Sequence, residues 1–340
     1  MSRPSRSGRL TGKSGTGVPI LSRAFSPPAV AASLFSLYLL CEEGDCMTED
    51  MRLATSQETQ IPEAKEFSTR RTRSIDGVLG AVAGDVIGSV YERHVIKTET
   101  FPLFGIFSRF TDDSIMTVAT ADALLTDGDY ARAYRSWGRA WPDAGYGGKF
   151  SRWLRKEHAS PYGSFGNGSA MRASPAAYAA DSLEEVLRIA EATSVVTHDH
   201  PQGILGAQAL AGSVFLARRA ASNGTDASCK EEVRAFLERR CGYSLLRSVA
   251  EIRPDYTFDV TCQGSVPESL TCFLEASDFE SAVRKAVSLG GDADTQACIA
   301  GAVAGALWGV PEHIWKRVRS TLHASMLRIL DAFEERFGKE

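Results

Sequence analysis

The chain has 340 residues, 44% hydrophobic and 24% charged, proportions ordinary for a folded, water-soluble protein. They exclude a collagen-like repeat, a largely low-complexity chain and a disulfide-stapled mini-protein. A net charge of −4 offers no large basic face for duplex nucleic acid. The longest apolar stretch, Ala29 to Cys41, falls well below the roughly 18 residues of a membrane span, so neither nucleic acid nor membrane is expected as a partner.

The first 73 residues differ from the rest. No acidic residue occurs before Glu42, while Arg3, Arg6, Arg9, Lys13 and Arg23 are basic and serine recurs. Such a leader reads as a transit peptide, a weak secretory signal or an overlong start ahead of Met47 or Met51. The expected location is cytoplasmic, or organellar if the leader is a transit peptide. Gly12-Lys13-Ser14 imitates the end of a phosphate-binding loop, but the glycine that loop requires five residues earlier is Ser7.

The folded unit is expected over 74–340, opening at Ser74-Ile75-Asp76-Gly77. Helical spacing of Val78, Leu79, Val82, Val86 and Ile87 marks the first helix. Further helices are predicted at 111–127, 130–141, 182–195, 201–220, 229–241, 264–275, 278–289, 294–308 and 312–337. Thr111-Asp112-Asp113, Asp181-Ser182 and Pro311-Glu312 mark helix starts. Tyr256–Val260 alternates like a strand but is short and isolated. The reading is therefore all-α: a single compact multi-helix domain. The run Ala300–Ala306 alternates alanine with glycine and valine, which costs helix propensity and suits a central, closely packed helix. Seven scattered cysteines without a C-x-x-C pair read as free thiols.

Two acidic clusters stand at helix starts: Thr111-Asp112-Asp113-Ser114 and Gly290-Gly291-Asp292-Ala293-Asp294-Thr295. Either alone reads as capping. Together, four aspartates and two threonine hydroxyls form an all-oxygen set that selects Mg²⁺, Mn²⁺ or Ca²⁺ over zinc. Four converging carboxylates suit two such ions. Ser164-Phe165-Gly166-Asn167-Gly168 leads into Ser169-Ala170-Met171-Arg172, either as a plain loop or as an anion nest of the Gly166, Asn167 and Gly168 amides. In Thr197-His198-Asp199-His200-Pro201, His198 is read as a substrate contact and His200 as solvent-facing.

These motifs, with Gly84-Asp85-Val86-Ile87-Gly88-Ser89-Val90-Tyr91-Glu92 ahead of them, occur in the order found in the ADP-ribosylglycohydrolases. That family includes the bacterial enzyme that reactivates dinitrogenase reductase. The resemblance runs from about Ile75 to the C-terminus. It implies an all-α fold around two Mg²⁺ (or Mn²⁺) ions, with Glu92, Thr111, Asp112, Asp113, Asp292, Asp294 and Thr295 as ligands and Glu92 on a mobile flap. Ser164, Phe165, Gly166, Asn167, Gly168 and His198 match substrate-binding positions, Phe165 against adenine. No residue of Trp141–Lys149 matches a second adenine-stacking ring. Asp112, Asp113 and Glu92 are the catalytic candidates.

The activity so implied is hydrolysis of an α-linked ADP-ribosyl group from a protein or small molecule by a monomeric enzyme. Arginine, serine, acyl-ester and nucleobase acceptors all fit the pattern. The alternative is a non-catalytic ADP-ribose-binding or crystallin-like member, whose signature is the loss of metal ligands. None is missing here.

Overall fold

The structure is a computed structural model that describes residues 75–338. The leader of 1–73, the expected Ser74 cap, Cys41 and Cys46 lie outside the described residues. Among those described, no strand forms, and the single isolated bridge pairs Gly166 with Thr261. No helix there is long and apolar enough to cross a membrane.

The helices are α1 Asp76–Gly88, α2 Asp112–Leu125, α3 Tyr130–Ala140, α4 Gly148–Arg155, α5 Gly168–Met171, α6 Leu183–Val195, α7 Pro201–Asn223 and α8 Asp226–Arg239, followed by α9 Val249–Ile252, α10 Cys262–Glu275, α11 Phe279–Ser288, α12 Ala293–Trp308, α13 Glu312–Arg319 and α14 Ala324–Phe337. A short 3-10 turn, Ser174–Tyr178, follows α5. All of α1 and all of α12 up to Leu307 are buried, so these two helices form the centre and need no polar face. The α7, α10 and α11 helices pack on α12, α6 and α8 flank α7, and α2 carries α3 and α14.

Local chemistry explains most helix starts. Thr111, Asp129, Ser182, Thr261 and Asp278 each accept a first-turn N–H from their own helix. Each cap contributes about 1 kcal/mol. The expected helix 312–337 is two helices. Ser320 closes α13, and the His323 imidazole accepts the Ser325 N–H (3.2 Å) to start α14, which folds back so that Arg319 pairs with Asp331 (3.2 Å). Helix α4 was not expected because only Phe150, Trp153 and Leu154 mark its buried face, and two glycines precede it.

The α1–α12 contact decides where the acids end up. A side chain at Gly84 would collide with the Ala297 carbonyl, and one at Gly88 with the Ala293 carbonyl. Their absence lets the helices touch backbone to backbone. Asp85 is thereby carried beside Asp294, at the start of α12.

A carboxylate-lined cavity

The carboxylates converge. One oxygen each from Asp85, Asp113 and Asp294 lie within 4.8 Å of one another, all three residues buried. Asp113 and Asp294 line a cavity of about 490 Å³, whose lining also includes Glu92, Thr111, Asp112, Asp292, Thr295, Ser164, Gly166, Asn167, Gly168 and His198. The two acidic clusters, some 180 residues apart in sequence, thus share a single site.

Asp85 was not singled out from the sequence, yet it organises the first cluster. Its carboxylate accepts the Thr111 N–H (2.9 Å), the Thr111 hydroxyl (2.6 Å), the Ser114 N–H (3.0 Å) and the Ser114 hydroxyl. Both oxygens are therefore committed to the first turn of α2. Asp85 is the clamp that aims Thr111, Asp112 and Asp113 at the cavity. An aspartate in the middle of a glycine- and alanine-rich helix gives only one sequence signal of this, its inward position among buried neighbours.

Asp113 accepts the Thr295 hydroxyl (3.2 Å) on Oδ2, which ties the two clusters together, while its buried Oδ1 has no hydrogen-bond partner. Asp292 accepts the Asn167 side-chain amide (2.7 Å), linking the second cluster to the 164–168 loop. Asp294 accepts the Thr295 N–H (3.0 Å). Asp112 is half-buried on the cavity wall, with its own N–H donated to the Ala144 carbonyl (3.0 Å). The Gly290 φ of +68° turns the chain into this cluster, and a side chain there would press on the Ile96 carbonyl.

Burial is the largest influence on all five aspartates, and it raises every pKa. Asp112, Asp113 and Asp294 stand well above the ordinary carboxylate range, pushed further by neighbouring carboxylates: Asp85 and Asp292 act on all three. Such a set must take up protons or cations. An all-oxygen donor set with an orphaned buried Asp113 Oδ1 fits a hard divalent cation.

Glu92 lies half-buried in the turn after α1, on the cavity wall. The segment beyond it is fastened down. Lys97 donates to the Tyr256 and Leu289 carbonyls (both 2.5 Å), Glu99 pairs with Arg253 and Lys285, and Tyr91 donates to the Pro102 carbonyl (2.6 Å).

Around 164–168 the structure departs from the sequence reading in three ways. The three-amide nest does not form, because the Gly166 N–H is given to the Ser164 hydroxyl (3.2 Å) and the Asn167 N–H to the Val260 carbonyl (2.8 Å). Phe165 is 41% exposed with its ring 5.2 Å from that of His200, and it does not line the cavity; the exposed ring that does is Phe258. His200 is not a solvent-facing residue: it is half-buried and caps α7 by accepting the Gln202 N–H (3.1 Å). The strand-like segment 256–260 forms no strand; its end meets this loop where the Val260 carbonyl accepts the Asn167 N–H. His198 is buried on the cavity wall, and burial together with the Arg172 charge lowers its pKa well below the usual histidine value. Arg172, also on the wall, is the second residue the sequence reading passed over.

Comparison with known proteins identifies the family and supports the fold. A family model described as ADP-ribosylglycohydrolase matches residues 67–339. The ADP-ribosylhydrolase ARH3 of Mus musculus is 28% identical over 310 residues, covering 68% of this chain and 83% of that protein. The ADP-ribosyl-dinitrogen reductase glycohydrolase of Rhodospirillum rubrum is 27% identical over 270 residues, covering 71% and 87%. A solved ADP-ribosylglycohydrolase-related protein complex superposes with a TM-score of 0.56 at 24% identity, covering 77% of this chain and 98% of that one; it supports the fold.

Proposed function

The chain belongs to the ADP-ribosylglycohydrolase family, and on that premise we propose that it is a metal-dependent hydrolase that releases ADP-ribose from ADP-ribosylated substrates. One observation carries the reading. The carboxylate end and the 164–168 loop share one cavity, of a size that takes a small-molecule ligand. The named functions of the relatives have ADP-ribose in common rather than any single acceptor.

In this reading Asp112, Asp113, Asp292 and Asp294, with Thr111, Thr295 and Glu92, hold two Mg²⁺ or Mn²⁺ ions. Once bound, the cations supply charge neutralisation and Lewis-acid polarisation at the ribose. Asp85 keeps the α2 turn in register for this, and Asn167 does the same for Asp292. Asp112, half-buried and on the cavity wall, orients the attacking water and accepts its proton. The water oxygen bonds to the anomeric carbon as the bond to the acceptor breaks, and the acceptor departs with a proton. Positive charge developing on the ribose is offset by the surrounding carboxylates.

The test is release of ADP-ribose from a panel of arginine-, serine-, acyl-ester- and nucleobase-linked substrates, with Mg²⁺ and with EDTA. Release from at least one linkage that EDTA abolishes and Mg²⁺ or Mn²⁺ restores is expected. No release from any, or full release by stringently metal-free protein, contradicts the proposal.

A further inference from the structure

The cavity wall away from the acids contains a buried cation. The Arg172 side chain is 1% exposed, sits 4.4 Å over the Tyr134 ring, and has its Nε buried without a hydrogen-bond partner. Among the described residues no carboxylate forms an ion pair with it. Its Nη2 donates to the Thr193 carbonyl (3.0 Å) and to the Thr197 hydroxyl oxygen (2.8 Å). That oxygen lies 2.7 Å from Nδ1 of His198.

Hydrogen-bond counting favours one direction for this chain, the one in which the Thr197 hydroxyl proton has an acceptor. A guanidinium only donates, so Arg172 occupies an acceptor site on the Thr197 oxygen. The hydroxyl keeps one proton to give, and Nδ1 of His198 is the acceptor in reach. Nδ1 then carries no proton, and in a neutral ring the proton sits on Nε2. Nε2 is also the ring atom nearest the loop: a Cβ added at Gly166 or Gly168 would stand 3.5 or 3.4 Å from it. The His198 backbone is held as well: its main-chain N–H is donated to the Ser194 carbonyl (2.8 Å), and the Ser194 hydroxyl is donated to the His198 carbonyl (2.8 Å).

We propose that Arg172 and Thr197 are positioning residues that hold His198 as the neutral Nε2–H tautomer, with that N–H presented beneath the 166–168 loop to an oxygen of the diphosphate–ribose. The ligand named here rests on the functional reading above; the tautomer does not. The arrangement makes His198 a fixed donor with no acid–base role. It also gives the buried Arg172 its purpose, since its charge opposes protonation of the ring it orients. Because two of the three loop amides are already bonded within the protein, a side-chain donor beneath the loop supplies what the backbone withholds.

The experiment is nitrogen-15 NMR of the histidine rings in the full chain with Mg²⁺ present, the His198 signals being assigned with a His198→Gln variant, beside calorimetric titration with ADP-ribose. In the wild type, His198 is expected to read as neutral and Nε2-protonated from pH 5.5 to 8. Thr197→Val, close in shape to threonine, should shift the ring toward the Nδ1–H form and weaken ADP-ribose binding by about tenfold, with Mn²⁺ affinity unchanged. Thr197→Ser, which keeps the hydroxyl, should restore both. A wild-type ring protonated on Nδ1, a ring that titrates within that range, or a Thr197→Val variant with unaltered tautomer and affinity overturns the proposal. If the tautomers behave as stated but the wild type does not bind ADP-ribose, the ligand named here and the functional reading both fall, while the role of Arg172 and Thr197 in orienting His198 stands.

Discussion

The cavity has two walls of opposite electrostatic character, and neither is balanced by the protein itself. On one wall Asp112, Asp113, Asp292 and Asp294 converge, with Asp85 clamping the α2 turn; among the described residues no cation forms an ion pair with them, and burial raises the pKa of all five. On the other, Arg172 is buried with no carboxylate paired to it among the described residues, and the neutral His198 faces the loop. An unbalanced buried charge is destabilising unless something bound supplies its partner. The comparison therefore assigns the two halves of a ligand set: hard cations to the acids, and an anion with acceptor oxygens to the Arg172–His198 side. The walls also differ in how they are held. The acids stand at the first turns of α2 and α12 and on α1, whereas the opposite wall is built from loop and capping hydrogen bonds.

The largest break should come from Asp294, the aspartate carried by the central helix beside both Asp85 and Asp113. Asp294→Asn keeps the shape and removes one charge, so metal affinity and turnover should collapse together, with turnover falling by about 10²–10⁴-fold. Calorimetric Mn²⁺ titration beside kinetics checks it, and normal uptake of two ions would remove Asp294 from its assigned place. Asp85→Asn probes the clamp rather than the cation. An amide nitrogen facing the Thr111 and Ser114 donors cannot accept from them, so the α2 turn should loosen. Metal affinity should drop by about 10–100-fold, and the melting temperature should fall by several degrees.

Glu92 stands off the helix-borne cluster, in the turn after α1. Glu92→Ala should keep at least one metal while lowering turnover by roughly tenfold or altering substrate affinity. If both ions are lost, Glu92 belongs with the fixed acids and the distinction between them disappears. The smallest effect is one of pH on metal-depleted protein. A carboxylate whose pKa is higher folded than unfolded binds more protons in the folded state, so stability falls as pH rises from about 4, the unfolded value, through the raised one. Metal-depleted protein should therefore melt lower at pH 8 than at pH 5.5, and added Mg²⁺ or Mn²⁺ should raise the melting temperature more at pH 8. Scanning calorimetry at the two pH values decides this.

What the sequence made legible was local. The Thr111, Ser182 and Pro311 helix starts were readable because a helix start, whether a side-chain cap or a proline ahead of an acid, is written within four residues. Both acidic clusters stood out for the same reason. Their meeting was not readable, because it depends on Gly84 and Gly88 letting α1 lie against α12, more than 200 residues later in the chain. Asp85 and Arg172 were passed over because each works through partners distant in sequence: the α2 turn for one, Thr193 and Thr197 for the other. The break between α13 and α14 went unseen since no glycine or proline marks it; a histidine cap does. The amide nest failed as a reading because glycine spacing says nothing of which amides Ser164 and Val260 already occupy.

In the proposed function the acidic wall is a cation site whose carboxylates give up protons when it fills. Calorimetric titration of the full chain with Mn²⁺ at pH 6.5, repeated in buffers of different ionisation enthalpy, measures binding and proton release together. Two ions bound with net release of protons, and loss of both effects in an Asp113→Asn, Asp294→Asn double variant, is the predicted result. No binding, or binding that the double variant leaves intact, contradicts it.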